Sequence, residues 1–546
     1  MSNNENNTGN PFRKLRYLIV DDFENFRLSL RQMLRSFGAD HIEVAANGQT
    51  AVQRCTYEHF DVILCDYNLG KGKNGQHILE ELRHRKLLKR TSLFVMVTAE
   101  TSKEMVMGAR EYQPDAYLTK PINRAMLDKR LGDLIEQRNA LLPINREIDL
   151  ENLPQAITLC RQALQDKPKY KTWLLKTLAE LYYQLGDYAH ARKIYEDVLT
   201  QRKLSWAQLG LARVLLAEQH YDEACNALNA LIDEQPDFVE AYDVLAKTLA
   251  KQGKVAKAQK MLQKATELSP NALLRHKSLA DIATQNQDME TAANAWRTTV
   301  TLGTHSVHDS PEHYISLGRS LSDLSDGDQT DVGQNYAGEA LRIVSVMEKR
   351  FPEAVGVTAK SKLIQARVHA GQGRNREANA ALEQAKLDID PEKLDADLGL
   401  DLAKTYYSVG ATQLAEALLG DLAKRFESDP NVLGQIENLL DEPVSFRQKV
   451  KARALNRDGI KAFESEKLAE AATAFREALA LVPNHAALNL NLVQVILRQI
   501  DKQQVGPEAL QDCKRCLDAL SNLPSQHRQH RRYLALKKKI ESMNHG

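Results

Sequence analysis

A chain of 546 residues is longer than one hydrophobic core usually supports, so two or more domains, or one domain and an array, are expected. Its 73 basic residues balance 72 acidic ones to a formal net charge of +1, which argues against a globally basic nucleic-acid binder. Aromatics at only 6% and an abundance of Ala, Leu, Gln, Glu and Lys favour helix. The six cysteines (Cys55, Cys65, Cys160, Cys225, Cys513 and Cys516) are scattered, which suits a reducing compartment. Residues 1–14 are a polar, Asn-rich tail without a charged-then-apolar signal pattern. No apolar run approaches the roughly 18 residues of a membrane span. The expectation is a soluble cytoplasmic protein.

The first strand, Leu15 to Val20, ends in paired acids, Asp21-Asp22. Helical periodicity runs from Glu24 to Phe37, and Gly38 stops it. A short strand, Ile42 to Ala45, and a helix, Gly48 to Tyr57, follow. The apolar run Val62-Ile63-Leu64-Cys65 then delivers one acid, Asp66, to the point where turn-forming residues begin. That is the pattern of a strand buried on both faces of a parallel sheet. Next come a glycine-rich basic loop, Gly70-Lys71-Gly72-Lys73-Asn74-Gly75, and a helix from Gln76 to His84. Leu93 to Val97 is a fourth strand, with Thr98-Ala99 at its end, and Thr101 to Arg110 is helical. A fifth strand, Ala116 to Leu118, is closed by Thr119-Lys120-Pro121, and a last helix runs from Asn123. Strict alternation of strand and helix predicts an α/β fold with a five-stranded, doubly wound parallel sheet over residues 15–135.

In such sheets the reactive positions lie just past the carboxyl ends of the strands. Asp21, Asp22, Asp66, Thr98 and Lys120 all fall there. A lone Asp would simply cap a turn, but a carboxylate at that position is also a nucleophile that can become an acyl phosphate. Three converging carboxylates repel one another unless a divalent cation sits among them, and all-oxygen ligands favour Mg²⁺. The cation would also neutralise an incoming phosphoryl group. Lys120 offers a point positive charge to a phosphate oxygen, and Thr98 a hydroxyl.

At these residues the segment resembles the receiver domain of two-component response regulators. The resemblance implies that Asp66 is the phosphoacceptor, fed by a histidine kinase or a histidine phosphotransfer protein of a bacterial phosphorelay. It implies that Asp21, Asp22, Asp66 and the Asn68 main-chain carbonyl hold Mg²⁺. Thr98 and Lys120 match the switch hydroxyl and the phosphate-contacting lysine, and Tyr117 matches the aromatic that turns inward with Thr98. Pro121 matches the family's cis Lys-Pro bond. One departure is the stretch Leu69-Gly70-Lys71-Gly72-Lys73-Asn74-Gly75, where family members carry Met-Pro; a longer, more mobile, basic loop is expected.

Beyond residue 135 the strand signals vanish and a period appears. Pro236 and Pro270 are 34 apart, as are Ala224 and Ala258. The cleanest copy reads Tyr242, Leu245-Ala246, Leu249, Gly253, Ala258, Leu262, Ala265 and Pro270. This pattern resembles the tetratricopeptide repeat. The resemblance implies an all-α superhelix of about nine or ten helix pairs over residues 136–526, irregular near 325–334 and 429–451. Residues 527–546 read as a basic capping helix and tail. By repeat position Trp173, Lys176, Tyr183, Lys247 and Tyr407 face the inner surface, where a partner peptide would lie. Cys513 and Cys516 fall at positions that the repeat buries, so packing is expected rather than a metal or redox site. The basic tail (Arg528, Arg531, Arg532, Lys537 to Lys539) reads as a solvated cap rather than a nucleic-acid contact.

The resulting expectation is a response regulator that is not itself an enzyme. Its output is a phosphorylation-controlled protein-binding surface on the repeats for a target protein whose identity the sequence does not give. No nucleic acid and no membrane are expected as partners, and homodimerisation through the receiver is left open. The alternatives are a constitutive repeat scaffold, or a regulator of a partner cyclic-di-GMP phosphodiesterase by analogy of layout alone.

Overall fold

The computed structural model describes residues 10–99, 113–441, 446–503, 505–506, 509–521, 523 and 529–544. The chain forms two compact units, Met1–His313 and Tyr314–Gly546. The helix expected over Thr101 to Arg110 lies outside the described residues.

Unit one opens with β1 (Arg16–Val20), α1 (Glu24–Ser36), β2 (His41–Ala45), α2 (Gly48–Tyr57), β3 (Val62–Asp66), α3 (Gly75–His84), β4 (Leu93–Thr98) and β5 (Ala116–Thr119). The five strands are all parallel, in the order β2-β1-β3-β4-β5. Each crossover needs a helix, and alternating side chains divide between two faces. Tyr17, Ile19, Leu64, Val95 and Leu118 pack on one side against Leu30 and Leu34 of α1. Leu18, Val20, Ile63, Phe94 and Met96 pack on the other against α2 and α3. Both faces are thus covered, which explains why β3 and β4 are apolar along their whole length. The strand register aligns Asp66 with Val97 and Thr98 with Thr119, so the strands end at one rim.

The sheet's last helix is 26 residues long, Arg124–Asp149, with Asn123 accepting from the Met126 N–H as its cap. Its first half supplies Leu127, Leu131 and Ile135 to the sheet core. Its second half supplies Leu141 and Ile144 to a different core, with Ala156, Cys160, Leu174 and Leu178 of the helices that follow. The division expected between residues 135 and 136 therefore falls inside one continuous helix. Two further ties hold that helix to the sheet. Arg138, which is buried, pairs with Asp61 and donates to the Thr91 carbonyl. Asp149 accepts from the backbone N–H groups of Arg90 (2.7 Å) and Thr91 (3.2 Å) and from the Thr91 hydroxyl (3.1 Å).

A single helix, Leu153–Asp166, comes next. Antiparallel pairs follow at 171–184 with 188–201, 205–217 with 221–234, 239–251 with 255–268, and 273–285 with 289–303. Ala191, Ala224 and Ala258 are fully buried, as close helix approach requires. A β-carbon on Gly210 would lie 2.3 Å from the Tyr195 ring, so the aromatic occupies the space that the glycine leaves.

Unit two continues the pairing at 357–371 with 375–387, 396–408 with 412–425, 446–464 with 468–481, and 486–501 with 510–518. The irregular stretch near 325–334 turns through Gly327 into a 20-residue helix, Asp331–Arg350, capped by Thr330. Within 429–451, residues 430–441 form an extra helix that packs Val432, Ile436 and Leu439 on Leu419 and Leu422. The terminal helix His530–Asn544 buries Tyr533, Leu536 and Ile540, and Arg532 donates to Asn491 (2.8 Å) and Gln494 (2.5 Å). Part of the basic tail is therefore docked on the helices before it, while Arg528 lies outside the described residues. Cys513 and Cys516 are buried in that same core, where burial pushes the thiols up to about 12 and about 11. No helix among the described residues is long and apolar enough to cross a membrane.

Unit two also contains a buried charge network. Asp401 accepts from Arg319 (2.9 and 2.5 Å) and Arg367 (2.9 Å), and Asp397 accepts from Arg319 and Lys360 at 2.8 Å each. Burial alone would raise the Asp401 carboxyl, but the two guanidinium groups hold it well below its ordinary 3.8.

Two predictions follow from these buried pairs. Arg138→Ala removes the guanidinium from Asp61, leaving it the Arg16 N–H, and is expected to cost on the order of 2 kcal/mol, read as faster hydrogen exchange over residues 136–149. A carboxylate held low stabilises the fold above its ordinary value and loses that contribution as pH falls below about 3.8. Acid unfolding of unit two should therefore steepen below that pH in the native chain, and Asp401→Asn should both flatten that dependence and lower stability at pH 7.

Candidate functional site

The rim formed by the carboxyl ends of β1, β3, β4 and β5 carries a pocket lined by Asp22, Asp66, Asn68, Thr98 and Lys120 among others. β1 and β3 lie side by side, which brings the residues just past their ends together. One carboxylate oxygen from each of Asp21, Asp22 and Asp66 lies within 4.8 Å of the others. Asp21 and Asp66 are 1% and 6% exposed, whereas Asp22 faces solvent.

The Lys120 ammonium spans the two buried acids, donating to Asp21 Oδ2 and Asp66 Oδ2 at 2.8 Å each. Burial works against that charge, but the two carboxylates more than offset it and carry the ammonium above its ordinary range. For Asp66 the balance goes the other way. Burial raises its carboxyl above the ordinary value, with Asp21 adding to the rise and Lys120 and the Asn68 N–H opposing it. The Asn68 N–H faces Asp66 Oδ1 at 3.4 Å, and Asp21 Oδ1 accepts from the Phe23 N–H at 2.8 Å. The peptide bond Lys120-Pro121 is cis.

Each residue singled out in the first segment can now be placed. Asp21, Asp22, Asp66, Asn68, Thr98 and Lys120 meet at the one rim. Tyr117 lies two residues before Thr119, the end of β5, and packs, partly buried, against the Phe94–Met96 side of the sheet. The basic loop is not all solvated. Lys71 is exposed, but Lys73 pairs with Glu81 of α3, which also binds Arg85. Gly70 and Gly72 take positive φ angles of 72° and 105°, conformations that a side chain would oppose.

The five repeat positions lie on three helices: Trp173, Lys176 and Tyr183 on 171–184, Lys247 on 239–251 and Tyr407 on 396–408. Trp173 packs half-buried against the Leu174–Leu178 core, Lys176 pairs with Glu180 at 3.9 Å, and the Tyr183 ring lies 5.5 Å from Tyr188. Lys247 is exposed. Tyr407 belongs to unit two, where it packs on the Leu419–Ile436 core and burial pushes its hydroxyl up to about 12.

Sequence reasoning missed three contributors. The Phe26 ring lies 4.1 Å from the Lys120 ammonium, the Arg27 guanidinium donates to the Asp21 carbonyl at 2.6 Å, and Phe23 is a large exposed apolar residue on the pocket wall. Phe26 and Arg27 had registered only as helical periodicity. A fourth is Gly75, the last residue of the glycine-rich loop: a β-carbon there would lie 2.4 Å from the Asp66 carbonyl oxygen.

The donor set fits a hard divalent cation. Three carboxylates face one lysine, which leaves excess negative charge and offers only oxygen ligands.

Comparison with known proteins agrees with this geometry. Residues 17–132 match the response regulator receiver domain model, and residues 147–205, 206–237, 244–297 and 459–515 match tetratricopeptide repeat models. Chemotaxis protein CheY-3 of Vibrio cholerae serotype O1 is 30% identical over 125 residues, which is 23% of this chain and 95% of that protein. Chemotaxis protein CheY of Pseudomonas aeruginosa is 29% identical over 125 residues, 23% of this chain and 99% of that one. A solved structure of the Vibrio cholerae chemotaxis protein CheY4 is 28% identical, covering 22% of this chain and 97% of its own, with a TM-score of 0.21. The chain belongs to the response regulator receiver family through residues 17–132, with tetratricopeptide repeats behind it.

A cation bound here would compete with Lys120 for Asp21 and Asp66, and the exposed Asp22 would add a ligand. Asp22→Ala should weaken Mg²⁺ binding on the order of tenfold, and Lys120→Met should strengthen it, as titration calorimetry would register.

Proposed function

We propose that this protein is a phosphorelay response regulator whose receiver, residues 15–135, controls protein binding by the repeat array, residues 136–526. The observation that carries this reading is the Lys120 bridge between Asp21 and Asp66, set beside an exposed Asp22 on one open rim. Asp66 is the proposed phosphoacceptor. One of its carboxylate oxygens attacks the phosphorus of a phosphohistidine on a kinase or phosphotransfer protein. The P–N bond breaks, an acyl phosphate P–O bond forms, and the imidazole leaves with a proton.

Asp21, Asp22, Asp66 and the Asn68 main-chain carbonyl would hold Mg²⁺, which when bound offsets the charge that the phosphoryl group brings. Lys120 would turn from Asp66 to a phosphate oxygen, and the Thr98 hydroxyl, at the end of β4, would donate to another. Tyr117, on the neighbouring strand, would follow Thr98. The array would serve as the output surface, with Lys247 as an exposed polar position and Trp173, Lys176, Tyr183 and Tyr407 as partly engaged ones. The free thiols of all six cysteines support a reducing, cytoplasmic setting.

Incubation with Mg²⁺ and radiolabelled acetyl phosphate should label the native chain and not Asp66→Ala; equal labelling of the two would remove the phosphoacceptor. In affinity capture with and without phosphodonor, the set of bound proteins should change for the native chain and stay fixed for Asp66→Ala. A set indifferent to phosphodonor in both would favour a constitutive scaffold.

A further inference from the structure

Helix α3 begins on the acceptor and ends under the array. The Gly75 N–H donates to the Tyr67 carbonyl at 2.8 Å, and Gly75 has no room for a β-carbon beside the Asp66 carbonyl. The first turn of α3 is closed reciprocally: Asn74 Oδ1 accepts from the His77 N–H, and His77 Nδ1 accepts from the Asn74 N–H at 3.2 Å. Because Nδ1 is an acceptor there, the ring proton sits on the other nitrogen, and the ring lies 6.3 Å from that of His305 in the array. One histidine therefore both caps the helix that leaves the acceptor loop and reaches the repeats.

Residues His77, Glu80 and His84 lie at i, i+3 and i+7, on one face of α3. That face meets the turn that leads out of the helix Met289–Gly303. The Ser306 hydroxyl donates to Glu80 Oε2 at 2.7 Å, and His308 Nε2 stands 3.5 Å from Glu80 Oε1. The His84 and His308 rings pack edge to face at 5.0 Å, and His77 and His305 do so at 6.3 Å. Glu80 is only 4% exposed, so both oxygens of a buried carboxylate are met by this turn. The turn is ordered by its own bonds: the Ser306 N–H to the Gly303 carbonyl (2.9 Å), and the His308 N–H to the Ser306 hydroxyl (3.0 Å). It spans seven residues, 304 to 310, where the connection at 269 to 272 takes four, so the extra chain is spent on reaching the receiver.

We propose that residues 302–308 form an intramolecular clamp on α3, closed while Asp66 is unmodified, and that phosphorylation of Asp66 opens it through the acceptor loop and α3. This rests on the receiver reading above and adds to it the route by which the repeats sense the acceptor. Binding energies couple reciprocally, so a group at Asp66 that loosens the clamp must itself bind more tightly when the clamp is broken.

The test is hydrogen exchange on the full chain with Mg²⁺ and beryllofluoride, a phosphoryl mimic, for the native protein and His308→Glu. Beryllofluoride should slow exchange over residues 67–75 and speed it about threefold or more over 302–309. His308→Glu sets a second carboxylate against Glu80 and should speed exchange over 77–84 about tenfold without beryllofluoride, and tighten beryllofluoride binding in titration. Slowed exchange at 67–75 with unchanged or slower exchange at 302–309 overturns the clamp and leaves the receiver reading intact. Unchanged exchange at 67–75 overturns the receiver reading, and the clamp with it. If His308→Glu leaves α3 exchange as it was, the contact holds nothing and the clamp fails regardless of the ligand.

Discussion

The interaction on which the site depends is a single ammonium placed between two buried carboxylates. Without Lys120, the buried carboxylates of Asp21 and Asp66 would repel each other with no countercharge between them. With Lys120 the pair is tolerated but not neutralised, since one ammonium faces two carboxylates, and Asp22 adds a third acid at the solvent edge. The rim therefore carries an excess of negative charge that a bound cation would offset. The cis bond after Lys120 and the Phe26 ring beneath its ammonium belong to the local setting of that one side chain.

The sheet makes this arrangement possible by burying everything else. Strands covered on both faces are open only at their ends, and the carboxyl ends form a rim where charged groups collect and water still solvates one side. The same economy governs the repeats, where alanines at the helix contacts and a glycine opposite Tyr195 let paired helices close on each other. Buried charges recur in unit two, in the Asp401 network, with every acid answered by guanidinium or ammonium groups.

Receiver and first repeats share a helix rather than a tether. Leu131 and Ile135 sit in the sheet core and Leu141 and Ile144 in the repeat core, within one run of helix that Arg138 and Asp149 tie to the sheet. A flexible linker would let the two move independently. Here the receiver meets the repeats at two places, this helix and α3.

Much of the fold and most of the rim were legible in the amino-acid sequence, because they rest on local periodicity. Strand and helix alternation placed Asp21, Asp22, Asp66, Thr98 and Lys120 at strand ends, and an interval of 34 residues marked the helix pairs. Identity at one position was enough there, since each strand delivers whatever residue follows it. The contacts of Phe26 with Lys120, Lys73 with Glu81, Arg138 with Asp61, and Glu80 with Ser306 and His308 were not legible. They join residues up to 226 positions apart, and no local pattern records which side chain a distant turn will meet. The sequence alone determined which groups stand at the rim; only the packed chain decided what each of them touches, because partner choice is set by distances that exist after folding.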